Sequence, residues 1–274
     1  MKEIKIKKLK REKNIFHLII LLIIGFFMFI SYSASAQKII TEVKYDKIEV
    51  NSVEDIYKER DGLFVFSDVN IDLRKIPSDK RKDIFVRLLL PSIEVVQQEI
   101  INNRKIVDKL KNKKNLTSYE KIYAEKLFEK YKTEYGKWEE LESKMIVYPT
   151  SLILSQGAIE SAWGTSRFFR EANNAFGVWS TNPKEPRIPA KGSRGEFTPH
   201  LKKYNSLKDT VEDITLIISR SSAYTKARKM IWDGKSPYEI AGGLTKYSEE
   251  GKEYVRKIRS TMKYNNFHQY DNII

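Results

Sequence analysis

Between Pro149 and Thr165 the chain carries a single charged side chain, Glu160. It lies in Pro149-Thr-Ser-Leu-Ile-Leu-Ser-Gln-Gly-Ala-Ile-Glu160-Ser-Ala-Trp163-Gly164, a run otherwise apolar, small or uncharged. Pro149 suits a helix start and Gly164 the position just past a helix end, so the spacing predicts a helix over 149–163. On that helix Ser151, Ser155, Ala158 and Ala162 recur every four residues, a small-residue face for close helix packing. Glu160 points the other way, on the side of Ile153, Gln156, Gly157 and Trp163. A helix polar nowhere else is a buried helix, and burial raises a carboxyl pKa because the ionised form loses water. A carboxyl that keeps its proton near neutrality can act as general acid toward a glycosidic oxygen. Trp163 is expected to supply an apolar wall beside it, and Gln156 a polar contact for substrate. The competing reading is a helix-end glutamate paired with a cation such as Arg167. The apolar helix, the tryptophan and the flanking glycine favour the chemical reading.

Phe176 and Trp179 follow this segment directly and are candidates to stack on sugar faces in a cleft. Tyr224 and Trp232, at helical spacing, are expected in the core. The three histidines, His17, His200 and His268, are far apart in sequence, there is no cysteine, and no glycine-rich phosphate loop occurs. Neither a metal site nor a cofactor is expected. The absence of cysteine also excludes thiol catalysis and disulfides.

The elements that must position these residues read as mainly α. Residues 37–76 show only short β-like runs, such as Gly62 to Phe66, and are read as an extended N-terminal arm. A helical extension over 77–146 starts at Pro77-Ser78-Asp79, breaks or kinks at Pro91, and resumes to about Lys111. Thr117-Ser-Tyr-Glu120 has the capping-box form. The helix it opens is predicted to bury Tyr119, Ile122, Tyr123, Leu127 and Tyr131. Within the remaining 147–274, Asn173 to Trp179 reads as a turn into a strand. Residues 181–195 form a loop or hairpin, and Glu196 to Tyr204 a strand. Ser206, Ala223 and Ser236-Pro237 open further helices, and a last helix covers about 249–262.

Gln156-Gly-Ala-Ile-Glu160-Ser-Ala-Trp163-Gly-Thr-Ser166-Arg-Phe168, followed by Asn174-Ala-Phe176-Gly177, resembles glycoside hydrolase family 73, most closely its Bax-like secreted glucosaminidases. Leu88-Leu-Leu-Pro91, Tyr204 to Asp213, and Gly243-Leu-Thr-Lys-Tyr247 through Tyr254 extend the resemblance over about residues 80–265. It implies a lysozyme-like fold, a small β-hairpin lobe over a helical lobe, and an endo-β-N-acetylglucosaminidase acting on peptidoglycan glycan strands. Glu160 matches the family's catalytic acid. Tyr247 matches a tyrosine near the reacting sugar, with a core tyrosine as the equal alternative. The family draws a second carboxylate from the β-lobe, which makes Glu196 the better candidate and Glu185 the other. The lobe departs from members with a clear acidic motif there, which leaves a substrate-assisted route open. Lytic transglycosylases share the fold and a Glu-Ser pair, and a muramidase or a non-catalytic wall-binding protein are further alternatives.

The N-terminus sets the expected compartment. Seven Lys/Arg and two Glu within residues 1–14 precede an apolar run from Ile15 to Ile30 and then Ala34-Ser35-Ala36. This is the form of a secretory signal over 1–36, cleaved before Gln37, with an uncleaved anchor as the rival. The expected location is therefore the periplasm or cell envelope, or outside the cell, with no stable membrane insertion after cleavage. The net charge of +14 falls to +9 without residues 1–36. A basic surface suits an anionic meshwork such as peptidoglycan, and export removes nucleic acid as the default partner.

Overall fold

The computed structural model describes residues 17, 19–25, 40–190 and 198–271. The basic start of the chain, the Ala34-Ser35-Ala36 motif and Glu196 lie outside them. Among the described residues no helix is long and apolar enough to cross a membrane.

Among the described residues the protein is mainly helical, with two small two-stranded sheets. The segment expected as an extended arm contains strands β1 (Asp46–Val50) and β2 (Phe64–Val69), joined through the four-residue helix α1 (Glu54–Tyr57). The two strands pair in parallel, Asp46 opposite Phe64. Val50, Val65 and Phe66 are fully buried, so this ladder is part of the core and not a free arm. A parallel pair needs a crossover, and the 51–63 connection is short enough that periodicity alone does not reveal it.

Helix α2 runs unbroken over Ser78–Lys111, through Pro91. The expected break does not occur. Proline removes one backbone hydrogen bond and costs about 3 kcal/mol in a helix interior. Here its neighbours Leu88, Leu89, Ile93 and Val96 are all buried, each worth roughly 1.5–3 kcal/mol, and burial wins. Helix α3 (Ser118–Lys130) opens with the capping box Thr117/Glu120, both bonds present. Its buried face is Glu120, Ala124, Leu127 and Phe128, while Tyr119 and Ile122 are exposed. The buried stripe is thus rotated from the expected one. Glu120 follows it inward because its carboxylate is satisfied by the backbone N–H of Thr117 and by Lys113, at 2.8 and 2.7 Å.

Helices α4 (Trp138–Lys144), α5 (Thr150–Glu160) and α6 (Arg167–Ala172) follow. The antiparallel hairpin β3 (Arg187–Pro189) and β4 (His200–Lys202) comes next. Helices α7 (Leu207–Arg220), α8 (Thr225–Trp232), α9 (Pro237–Ile240) and α10 (Lys252–Tyr264) follow, and a short 3-10 turn over Phe267–Tyr270 comes after them. Residues 150–158 of α5 are buried without exception. The helix is central, flanked by α2 and by α10. Tyr254, Val255, Ile258 and Met262 form the buried stripe of α10, and this stripe delivers Tyr254 to α5. The turn at 241–243 lies so close to α8 that a Cβ on Gly243 would stand 2.8 Å from the Ala227 backbone.

Candidate active site

Glu160 is the last residue of α5, three residues earlier than the expected end. The chain then turns sharply. Ala162, Trp163 and Gly164 all take positive φ, 50°, 59° and 76°, a region costly for a bulky side chain. Ser161 ties the turn: its hydroxyl donates to the Gly157 carbonyl at 2.6 Å and accepts from the Gly164 N–H at 2.8 Å. Ser166 caps α6 by accepting from the Phe169 N–H. The Glu-Ser-x-Trp-Gly string is therefore a fold instruction as well as a chemical one. It stops the helix at the carboxylate and reverses the chain.

The turn moves Trp163 off the helical face assigned to it. Its ring packs edge-on against Phe85 at 5.7 Å and against Phe267 at 6.0 Å, with the Lys82 ammonium over it at 5.0 Å. Other elements also reach the Glu160 carboxyl. A Cβ on Gly177 would lie 3.7 Å from Glu160 Oε2, so the backbone after Phe176 passes beside it. Tyr254, Glu250 and Lys257 act on it electrostatically, and Tyr247 feels its charge. Burial raises the Glu160 pKa above the usual carboxylate value; Tyr254 and Lys257 oppose this and Glu250 adds to it.

Tyr247 stacks on Tyr254 with ring centroids 5.2 Å apart and planes 10° from parallel. Its hydroxyl donates to the Phe176 carbonyl at 3.3 Å. The structure thus brings Glu160, Tyr247 and the Phe176–Gly177 backbone together. Gln156 is fully buried. Its amide oxygen accepts from Tyr148 at 2.6 Å and its amide nitrogen lies 3.5 Å from the Tyr254 hydroxyl. It supports the site from behind and is not a surface for substrate. Phe176 is 2% exposed and meets the bare Cα of Gly157, so it is core and not a sugar platform. Trp179 is 56% exposed at the hairpin lobe and is free to stack. Tyr224 is buried as expected, whereas Trp232 is half exposed.

Glu185 lies at the hairpin lobe, where it accepts from the Ser180 hydroxyl at 2.7 Å and lies 4.0 Å from Lys202. The lobe is fastened by residues that sequence reasoning treated only as a turn. Asn173, left-handed at φ 50°, donates to the carbonyls of Ser67 and Tyr204. Asn174 bonds Val178 through both ends of its amide and donates to the Lys202 carbonyl. Arg167 adds a bond to the Pro189 carbonyl. Tyr148 was missed as a contributor, and Ser161 and Tyr254, quoted within the motifs, were given no role of their own. The one available signal was the tyrosine pair Tyr247 and Tyr254, spaced like positions 1 and 8 of a helix although only Tyr254 is helical.

A mainly helical protein with a small hairpin lobe and a partly buried carboxyl of raised pKa at a helix end has the layout expected of a glycoside hydrolase. Residues 135–267 match the family described as Glucosaminidase: Mannosyl-glycoprotein endo-beta-N-acetylglucosaminidase. The matched stretch, just under half of the chain, is a glucosaminidase-like domain of the glycoside hydrolase kind, and it contains Glu160 and Tyr247. Protein bax of Escherichia coli (strain K12) is 26% identical over 196 residues, covering 67% of this chain and 69% of the relative. Exo-glucosaminidase LytG of Bacillus subtilis (strain 168) is 26% identical over 141 residues, 48% of this chain and about half (49%) of the relative's length. Among solved structures, the catalytic domain of the autolysin Auto from Listeria monocytogenes has 20% identity and a TM-score of 0.38, covering 62% of this chain and 97% of that one. The glycoside hydrolase domain of FlgJ from Salmonella typhimurium has 24% identity and a TM-score of 0.37, covering 53% and 87%.

Proposed function

We propose that the protein is an exported peptidoglycan hydrolase that cleaves glycan strands as an endo-β-N-acetylglucosaminidase, with Glu160 as general acid. The observation that carries this reading is the Glu160 carboxyl itself: ending a buried helix, raised in pKa by burial, and facing the backbone beside the hairpin lobe. A general acid must hold its proton until the leaving oxygen needs it, and desolvation supplies that bias. Tyr247, beside the carboxyl, positions the acetamido group or a water. Trp179 offers a stacking face for an outer sugar. The glucosaminidase domain and the basic sequence support a wall-glycan substrate, and the signal-like N-terminus supports export.

The second catalytic group is assigned to Glu196 or to the substrate's own acetamido oxygen. The bonds of Glu185 to Ser180 and Lys202 favour a structural role for that carboxylate. A lytic transglycosylase, which needs one acid/base carboxyl, remains the second reading on the same observation. The test is turnover of purified peptidoglycan by Glu160→Gln. Loss of at least about a thousandfold with an unchanged fold is expected; activity near wild type would remove Glu160 from the mechanism.

A further inference from the structure

We propose that the groove between α2, α4 and α8 is a second binding site, in which the Arg104 guanidinium takes a carboxylate of a peptidoglycan stem peptide and holds the wall while Glu160 acts on its glycan. The choice of ligand rests on the reading of the protein as a peptidoglycan hydrolase; the anion receptor itself rests on the groove.

The groove has a volume of about 570 Å³, within the range of about 300–1,000 Å³ typical of small-ligand sites. It is lined by Arg104, Lys105 and Asp108 of α2, Glu142 and Ser143 of α4, and Trp232 at the end of α8. Arg104 is held there in two ways. Its Nε donates to the Met145 carbonyl at 2.5 Å, and its guanidinium lies over the Trp232 ring at 4.3 Å. Trp232 is anchored in turn, its indole N–H donating to the Ser143 carbonyl at 2.9 Å. The terminal nitrogens of Arg104, Nη1 and Nη2, have no partner among the described residues. A half-buried guanidinium that is fixed in place and short of partners is a receptor for a planar oxyanion, because its paired N–H groups match the two oxygens of a carboxylate. Burial lowers the Arg104 pKa below its usual value, against Tyr131 and Glu142, so its charge is under-compensated where it stands.

The charges around Arg104 favour an anion. The two carboxylates of the groove, Glu142 and Asp108, share Lys111 at 2.8 and 3.2 Å and form no ion pair with Arg104. Lys105 is exposed and has no ion-pair partner among the described residues, so it adds a second free cation. The exposed half of the Trp232 ring, its indole N–H already committed, suits alkyl groups better than sugar hydroxyls. A stem peptide combines these features, free carboxylates and alanine methyls, and peptidoglycan carries one on its muramic sugars. Leu89, beside Gly157 of the catalytic helix, and Arg104 both lie on α2, about 22 Å apart at 1.5 Å per residue. A peptide in the groove therefore leaves the surroundings of Glu160 open. It raises the local concentration of the attached glycan there, which is tethering and adds no contact to the reacting sugar.

The experiment is titration of the protein with the acetylated tetrapeptide L-Ala–γ-D-Glu–L-Lys–D-Ala, and with the same peptide amidated at both carboxylates. Binding is read by calorimetry and by NMR of the tryptophan indoles. The acid should bind at least about tenfold more tightly than the amide, the size of a charge-assisted contact, and should shift the Trp232 indole resonance, assigned with Trp232→Phe. Arg104→Gln should abolish the preference for the acid. Arg104→Lys should lose most of it, because lysine keeps the charge but neither the fork nor the stacking. Full retention by the lysine variant would overturn the receptor and leave only general basic attraction. Equal binding of acid and amide, no binding at millimolar peptide, or a shift confined to other indoles would each overturn the site. The wild-type titrations decide the matter even if an Arg104 variant fails to fold. In turnover, Arg104→Gln should raise KM on peptidoglycan with kcat unchanged, and should match wild type on glycan strands stripped of their peptides. Peptide binding without glycan cleavage would uphold the groove and remove the hydrolase reading; cleavage without peptide binding would do the reverse.

Discussion

Replacing Gly164 by alanine should cost far more than an ordinary surface glycine, for two separable reasons. Its φ is +76°, and an L side chain in that region costs about 1–2 kcal/mol. A Cβ there would also stand 2.5 Å from Leu73 Cδ1 and 3.1 Å from the Phe169 ring. Leu73 is fully buried, so it has no free space into which to swing, and overpacking of this kind costs about 1–3 kcal/mol. The expected loss is therefore about 2–5 kcal/mol, measured by urea unfolding. Gly234 is the control, because its φ is +67° and nothing lies within 4 Å of a Cβ. Gly234→Ala should lose only the backbone contribution. Leu73→Ala costs stability by itself, yet combined with Gly164→Ala the losses should be sub-additive by about the packing term. Because Gly164 closes the turn that ends α5 at Glu160, activity should fall with stability. Equal losses at Gly164 and Gly234, with additive behaviour at Leu73, would refute the reasoning.

Other outcomes follow from the same structure. Lys208, 8% exposed, lies between Glu99 at 3.0 Å and Glu212 at 2.9 Å, so Lys208→Met should cost about 1–3 kcal/mol in chemical unfolding by leaving the partly buried Glu99 unpaired and Glu212 with Lys130 alone. Burial alone would raise the Glu212 pKa, but Lys130 and Lys208 hold it at about 2, below its usual 4.5. A depressed carboxyl contributes stability that is present above its unfolded value and lost as pH falls through the folded one. An acid-melting series should show that loss between pH 4.5 and 2, shallower in Lys208→Met, and parallel curves would contradict it. For Glu160 the sign is opposite. Its raised pKa means the unfolded chain ionises first, so stability falls as pH rises from the usual carboxylate value, and Glu160→Gln should melt at or above wild type at neutral pH. Trp179→Ala should raise KM up to about tenfold, the order of one aromatic contact, while leaving the melting temperature unchanged.

Local signals in the sequence were sufficient where local physics decides the outcome. The capping boxes at Thr117/Glu120 and Ser236/Glu239 are present, Ser206 caps α7, and the uncharged run before Glu160 is the buried helix it was expected to be. What was not legible depends on partners distant in sequence. Pro91 stays inside α2 because the core holds both sides of it. The pairing of β1 with β2 rests on a short crossover without a clear period. A helical wheel drawn to residue 163 placed Trp163 beside Glu160. The chain leaves the helix at 160, and three left-handed residues redirect it. Gln156 and Phe176 were read as cleft residues from their spacing to Glu160, but spacing gives a face and not the depth of burial. The partners that do surround the carboxyl, Tyr254 and the Gly177 backbone, lie on other elements, and only the packing of α10 on α5 reveals them.

The most direct test of the account is the identity of the ends it leaves. Purified peptidoglycan is digested with the protein and, in parallel, with Glu160→Gln; the products are reduced with borohydride and identified by mass spectrometry. The account predicts reduced N-acetylglucosamine ends from the wild type and none from the variant. Anhydro-muramic or reduced muramic ends would contradict the glucosaminidase assignment, and equal cleavage by the variant would contradict the role of Glu160.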